Sequence, residues 1–264
     1  NGVVGYRSSC HRYSRDNVFP LAQTLDSLGP ITHSVRDTIT LDEMLTGRPP
    51  VHTRRSLEGL RCVLDTRLLD DARIEPAVQG NLLRAVERLK DEGVLVEERP
   101  CVPFHAALDL IKQQGWLGAF EAFALHEALL DGEDAHRLDP RVRRRLESAR
   151  HLPASQLVRL YQARLRLQAQ LVDDLDGAFL ITPTVAHVAP PLAALEADDQ
   201  LFIETNLATL RLTMPGSLLD MPGISLPSGT DAAGLPTALL LSAPMGEDPR
   251  LLEAALRVER VLRR

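Results

Sequence analysis

The sequence predicts an α/β fold in which a sheet is covered by helices on both faces. Two observations carry this prediction. Apolar runs of strand length alternate along the chain with longer stretches of helical period. The strand-length runs are almost continuously apolar, without the polar alternation of a strand that has one wet face. The composition agrees, since 264 residues with 44% hydrophobic and 25% charged side chains are ordinary for a globular unit. At this length roughly 70–75% of the extended chain's surface can be buried, so a core needs neither disulfides nor a metal to hold it.

The elements follow in order. Asn1 to Tyr6 reads like the middle of a packed element. Ser34 is placed to cap a helix running toward Leu45, Gly47 to close it in the left-handed conformation, and Arg48-Pro49-Pro50 to prevent continuation. Arg61 to Thr66 is the first strand candidate. Glu75-Pro76 then puts proline in the first turn of a helix whose Leu82, Leu83, Val86 and Leu89 repeat as far as Gly93. Val94 to Glu98 is the second strand candidate. From Phe104 to Arg150 the chain reads as wholly helical. A further helix runs from Ser155 to about Asp173 on Leu157, Leu160, Tyr161, Leu165, Leu167 and Leu171. Strand candidates Phe179–Thr182, Gly223–Leu226 and Thr237–Ser242 precede a last helix from Pro249 to Leu262. No Gly/Ser/Pro linker isolates the helical stretch, so residues 101–175 are expected to form a helical layer or insertion within one unit spanning 1–264.

Charge and motifs narrow the function. Thirty Lys and Arg against 36 Asp and Glu leave a net charge of -6, which argues against non-specific binding to nucleic acid or anionic membranes. Cys10, Cys62 and Cys101 form no CxxC pair, so no zinc knuckle or disulfide framework is indicated and a reducing cytoplasm fits. The longest apolar runs are too short to cross a bilayer. GxGxxG and GxxxxGK are absent. His126-Glu127 opens like an HExxH helix, but Leu130 stands at the partner position, so a packing histidine is the reading and no metal site is expected. Gly223-Ile-Ser225-Leu-Pro227 opens like GxSxG, yet Pro227 replaces the second glycine, which leaves a buried strand ending on proline. The acidic pairs Asp70-Asp71 and Asp198-Asp199 and the cluster Asp173-Asp174-Asp176 read as solvated helix ends, because adjacent helical residues do not face one another. Arg141, Arg143, Arg144, Arg145 and Arg150 read as a solvated helix face.

Taken together, several segments resemble the amidase signature hydrolases. Asn1-Gly-Val-Val-Gly-Tyr-Arg7, Arg12-Tyr-Ser-Arg15, Val18-Phe-Pro-Leu21 and Thr24-Leu-Asp-Ser-Leu-Gly-Pro-Ile31 are similar to that family's G-V-x-G-x-K-P-T, G-R-V-S and G-V-x-P-x-x-x-S-x-D-x-x-G-P-M stretch. Thr32-His-Ser-Val-Arg-Asp37 with Leu41 to Gly47 resembles its A-R-T-V-x-D helix and D-A-M-x-G ending. Leu57 to Arg61 resembles its L-x-G-L-R-I-G segment. The likeness resumes at Asp176 to Thr184, continues through Met214 to Gly229 and Gly234 to Leu241, and closes at Asp248 to Leu252. Ser8 stands where the family usually has Pro, Ser217 where it often has Asn, and Asp220 where it often has Gly. Leu218 to Asp220 is similar both to allophanate hydrolases and to bacterial amidases.

The resemblance implies a mixed central sheet and hydrolysis of a small-molecule carboxylic amide through a serine acyl-enzyme, without a cofactor. Its catalytic serine, second serine beside a cis peptide and lysine are expected upstream of Asn1, so the chain alone is expected to be inactive. Lys90 and Lys112, the two lysines present, are not assigned the base role. By motif position Thr182, Thr184, Ser217 and Ser225 border strand ends, either as pocket-lining groups or as ordinary strand-end and turn hydroxyls. Phe104, Trp116, Phe120 and Phe123 read as helix core or as an apolar wall over the substrate. A non-catalytic scaffold, the amidating (A) component of a tRNA-dependent amidotransferase and an allophanate hydrolase are the other readings. Substrate identity and homo-oligomerisation stay open.

Overall fold

The computed structural model describes residues 1–48 and 56–264. Its strands are β1 (Val4–Arg7), β2 (Ile31–Thr32), β3 (Arg61–Leu64), β4 (Leu95–Glu98), β5 (Phe179–Pro183), β6 (Gly223–Thr230) and β7 (Pro236–Ser242). They form one seven-stranded mixed sheet in the order β2-β1-β6-β7-β5-β3-β4. The β3 strand runs parallel to β4 and β5, and every other pairing is antiparallel. The helices are α1 (Val35–Thr46), α2 (Thr66–Leu69), α3 (Pro76–Asp91), α4 (Val102–Gln114), α5 (Leu117–Asp131), α6 (Pro140–Glu147), α7 (Ala154–Leu175), α8 (Leu192–Ala197), α9 (Asp199–Leu210), α10 (Met214–Leu218) and α11 (Asp248–Leu262). No helix among the described residues is long and apolar enough to cross a membrane.

The two-residue period of the strands sorts the helices into two layers. Cys62 and Leu64 of β3, Phe179 and Ile181 of β5, Ile224 of β6 and Leu239 and Leu241 of β7 share one core with Val35 and Ile39 of α1, Leu82 and Val86 of α3 and Leu251, Leu252 and Ala255 of α11. Val63 and Leu180, one residue out of phase, face a second core with Phe104 of α4, Leu117 and Phe120 of α5, Leu160 and Leu171 of α7 and Leu218 of α10. Each large apolar side chain fully buried in this way contributes about 1.5–3 kcal/mol. The helical layer is therefore the cover of one sheet face.

Local chemistry sets the element ends. The Ser34 hydroxyl accepts from the backbone N–H of Asp37, and Gly47 closes α1 at φ 63°. Pro49 and Pro50, expected to block continuation, lie outside the described residues. The β3 candidate ends two residues early because the Asp65 carboxylate accepts from the N–H of Leu68 and starts α2. The expectation that all strands are buried on both faces fails at β4, which is the sheet's edge and is mostly exposed. Three features have no sequence expectation: the short pair β1–β2 and the helices α8 and α9. Neither helix has a buried residue, so they lack a clean apolar stripe to read. The β1–β2 pair depends on Gly29, where a Cβ would lie 1.7 Å from the Tyr6 carbonyl oxygen.

Candidate functional site

The sheet face under the helical layer is not covered evenly. On β1, β6 and β7 the residues on this face include Gly5, Gly223, Ser225 and Ser242, while the opposite face carries Val4, Tyr6, Ile224, Leu226 and Leu241. Register aligns Gly5 with Ser225, and Gly223 with both Arg7 and Ser242, so the small residues form adjacent rows. Small side chains leave room, and a cleft of about 410 Å³ lies above them. Its walls come from Phe104 of α4, from Leu212, Thr213, Gly216, Ser217 and Met221 around α10, and from Ser27, Gly29 and Ile31.

Of the four hydroxyl residues expected at a pocket, Thr184, Ser217 and Ser225 line this cleft. The Thr184 and Ser225 hydroxyls hydrogen-bond at 2.8 Å. Thr182 does not line it: as the next residue of β5 on the Leu180 face it is buried, and its hydroxyl has no partner among the described residues. Phe104 alone of the four aromatic residues reaches the cleft. Trp116 and Phe120 pack into the second core, and Phe123 sits in a satellite cluster beneath the Arg150 guanidinium.

Buried electrostatics brace the cleft. Arg7 donates to the carbonyls of Met221 at 3.0 Å, Ser8 at 3.2 Å and Leu25 at 3.3 Å. Asp220 accepts from the Cys10 N–H at 2.8 Å and sits at φ 54°. That left-handed backbone accounts for a glycine in the resembling motif, and Asp is among the few side chains that tolerate it. Ser8, in place of proline, uses its hydroxyl to hold the Leu28 carbonyl at 2.8 Å. Burial pushes the Cys10 thiol up to about 11. Asp248 gathers the Tyr6 hydroxyl at 2.5 Å, the Ser9 hydroxyl at 2.6 Å and the Ser9 N–H at 2.9 Å. Burial beside that carboxylate pushes the Tyr6 phenol far above its ordinary value.

Sequence reasoning missed the residues that hold the α10 wall. Arg164 of α7 donates to the Leu218 carbonyl at 2.6 Å and the Thr24 carbonyl at 2.9 Å, and Gln168 to the Leu219 carbonyl at 3.2 Å. Glu121 of α5 accepts from the Thr24 N–H and hydroxyl and from the Tyr161 hydroxyl. Tyr161, Arg164 and Gln168 stand at i, i+3 and i+7, a polar stripe on an otherwise amphipathic helix, and that spacing is the signal that finds them.

The remaining motif candidates resolve into local contacts. His126 hydrogen-bonds the Pro20 carbonyl at 2.9 Å and stacks on Phe19. No group of three metal-ligating side chains occurs among the described residues. Asp71 pairs with Arg73 and Arg211, Asp174 with Arg99, and Asp198 caps α9. Lys90 is held by Glu87 and Glu98 at 2.7 and 2.6 Å, and those bonds raise its pKa, so its charged form is favoured.

Comparison with known proteins places these features in context. The chain is 30% identical over 272 residues to the 2-amino-5-chloromuconic acid deaminase of Comamonas testosteroni, an alignment covering 99% of this chain and 56% of that protein. It is 28% identical to the GatA-type component of the glutamyl-tRNA(Gln) amidotransferase of Synechococcus sp. (strain WH7803), covering 98% of this chain and 59% of the relative. A crystal structure of an amidase superposes with a TM-score of 0.83 at 27% identity, covering 98% of this chain and 58% of the other. The Kluyveromyces lactis allophanate hydrolase shares the fold with a TM-score of 0.81 at 18% identity, covering 99% of this chain and 44% of its own. The chain thus spans somewhat more than half the length of the curated relatives it matches. The family model described as Amidase matches residues 1–252, and with almost the whole chain accounted for in this way, the chain belongs to the amidase family.

Proposed function

We propose that this chain supplies the substrate pocket of an amidase that cleaves a carboxylic amide C–N bond through a serine acyl-enzyme. The observation that carries the reading is the cleft over Gly5, Gly223 and Ser225, bordered by Thr184, Ser217 and Phe104, in a chain of the amidase family. In this reading a serine upstream of Asn1 attacks the amide carbon while a neutral lysine, acting through a second serine, takes its proton. Backbone N–H groups hold the oxyanion, the amine leaves with a proton, and water then releases the carboxylic acid. The cleft holds the acyl portion against Phe104. Lys90, ion-paired twice and exposed, is unsuited to the base role, which requires an uncharged amine.

A fluorophosphonate probe tests this. The 264-residue chain is expected to remain unlabelled, whereas the protein extended upstream through a Gly/Ser-rich loop and a lysine is labelled on one serine preceding Asn1. Specific labelling of a serine within residues 1–264 overturns the reading. The amidotransferase relatives support a second reading, in which ammonia rather than water accepts the acyl group. Product formation that requires charged tRNA and an ammonia source favours it over simple hydrolysis.

A further inference from the structure

A second cavity, of about 310 Å³, opens between α2, α4 and the junction of α9 with α10. Ligand cavities run from roughly 300 to 1,000 Å³, so this one suits a small guest. Consecutive residues divide between the two cavities: Phe104 and Leu212 line the cleft, while His105 and Arg211 line this one. Its character is set by charge. The chain carries -6 overall, yet Arg67, Arg73, Lys112 and Arg211 line this cavity against the carboxylates of Asp71 and Asp109.

Those carboxylates leave positive charge in excess. Asp71 is shared by two guanidiniums: Arg73 donates to both of its oxygens at 2.7 Å, and Arg211 donates to one of them at 2.6 Å. The Arg73 hydrogen bonds, with the Arg211 charge, hold the Asp71 carboxyl well below the usual range, so it stays ionised and orients both partners. The other terminal nitrogen of Arg211 is buried without a partner among the described residues, a state native proteins rarely keep without a ligand, ion or water nearby. Arg67 and Lys112 are exposed. Asp65 adds no counter-charge, because both its oxygens lie 2.8 Å from His105 Nε2 and it also accepts from the N–H groups of Leu68 and Cys101.

We propose that this cavity binds a small multivalent oxyanion of the phosphate class, free or as the head of a phosphorylated metabolite. Guanidinium forks match tetrahedral oxyanions, and Lys112 adds a mobile point charge. Because Asp71 already fixes Arg73 and Arg211, little side-chain freedom is lost when the anion arrives.

Calorimetric titration of the 264-residue chain with inorganic phosphate at low ionic strength, and separately with glycerol phosphate, tests the proposal. Arg67→Ala and Lys112→Ala remove exposed cations, and each is expected to weaken phosphate binding about two- to fivefold. Asp109→Asn removes a rim carboxylate and is expected to tighten binding by a similar factor, an effect that loss of folding does not produce. Arg144→Ala and Arg145→Ala change net charge equally on α6 and leave binding within about twofold of the parent. Tighter binding of glycerol phosphate assigns a phosphorylated metabolite, and tighter binding of inorganic phosphate assigns the free ion. Absence of binding overturns the proposal, and so does weakening by the α6 variants as large as that by the cavity variants.

Discussion

Replacing Asp248 by alanine should destabilise the chain by about 3–5 kcal/mol, a figure that follows from its contacts. The side chain is 1% exposed and joins α11 to β1 and to the turn that follows it. It accepts three hydrogen bonds, from the Tyr6 hydroxyl, the Ser9 N–H and the Ser9 hydroxyl. Hydrogen bonds to a charged group contribute about 1.5–3 kcal/mol each, and within one network they do not add in full. Alanine leaves all three donors buried and unpaired. Asparagine keeps one acceptor oxygen for Tyr6 and the Ser9 N–H but turns an amide toward the Ser9 hydroxyl, whose oxygen already accepts from Gly246 N–H at 2.9 Å. Its cost should be about 1–3 kcal/mol. Urea denaturation followed by far-UV circular dichroism reads both, and at about 3 kcal/mol per molar the alanine variant loses roughly 1–1.5 M in midpoint. Midpoints for both variants within about 0.3 M of the parent would refute the assignment of Asp248 as a buried hub.

Gly29→Ala puts a Cβ 1.7 Å from the Tyr6 carbonyl oxygen, which must move, so a loss of at least about 2 kcal/mol is expected in the same denaturation experiment. Gly5→Ala meets no atom within 4 Å, so it should leave stability within about 0.5 kcal/mol while filling the cleft floor. The thiols of Cys10, Cys62 and Cys101 are pushed up to about 11, 12 and 12, in each case chiefly by burial. At pH 8 a thiol of pKa 11 is only about 10⁻³ ionised, so none of the three should react with a disulfide reagent until denaturant exposes them. Their folded values lie above the unfolded one. The stability they add is therefore complete below about pH 8.5 and lost as pH rises toward 11–12, and urea midpoints measured across that window should fall.

Much of the fold is legible because the pattern and the packing obey one rule. Five strands are read from continuous apolar runs, and four of them are buried as that pattern requires. The fifth, β4, has the same apolar beginning in Val94-Leu95-Val96 but lies at the sheet edge, a tertiary fact that no local pattern carries. The β1–β2 pair escapes because Ile31–Thr32 is two residues long and held by a close backbone approach at Gly29 rather than by side-chain periodicity. In the cleft, Thr184, Ser217 and Ser225 are found through motif position. Thr182 has the same motif support and differs only in depth below the surface. The small residues of the floor also leave a trace, since Gly5, Gly223 and Ser225 interrupt one face of strands whose other face is uniformly bulky.

The helical stretch without motifs bears on the cleft for a reason that starts at a helix end. The last carbonyls of a helix have no partner within it and must find donors elsewhere. At α10 and the residue after it, the carbonyls of Leu218 and Leu219 find Arg164 and Gln168 of α7, while Arg164 also holds the carbonyl of Thr24. Glu121 of α5 fixes the other side of the same Thr24 and is itself held by Tyr161. Two segments at the cleft, one running through Ser27 and Gly29 and one through Gly216 and Ser217, are thereby tied to the same two helices. A change in the packing of α5 against α7 moves both walls together. The shape of the pocket thus depends on long polar side chains that touch nothing in it, and a search for reactive groups passes over such residues because their partners are backbone oxygens.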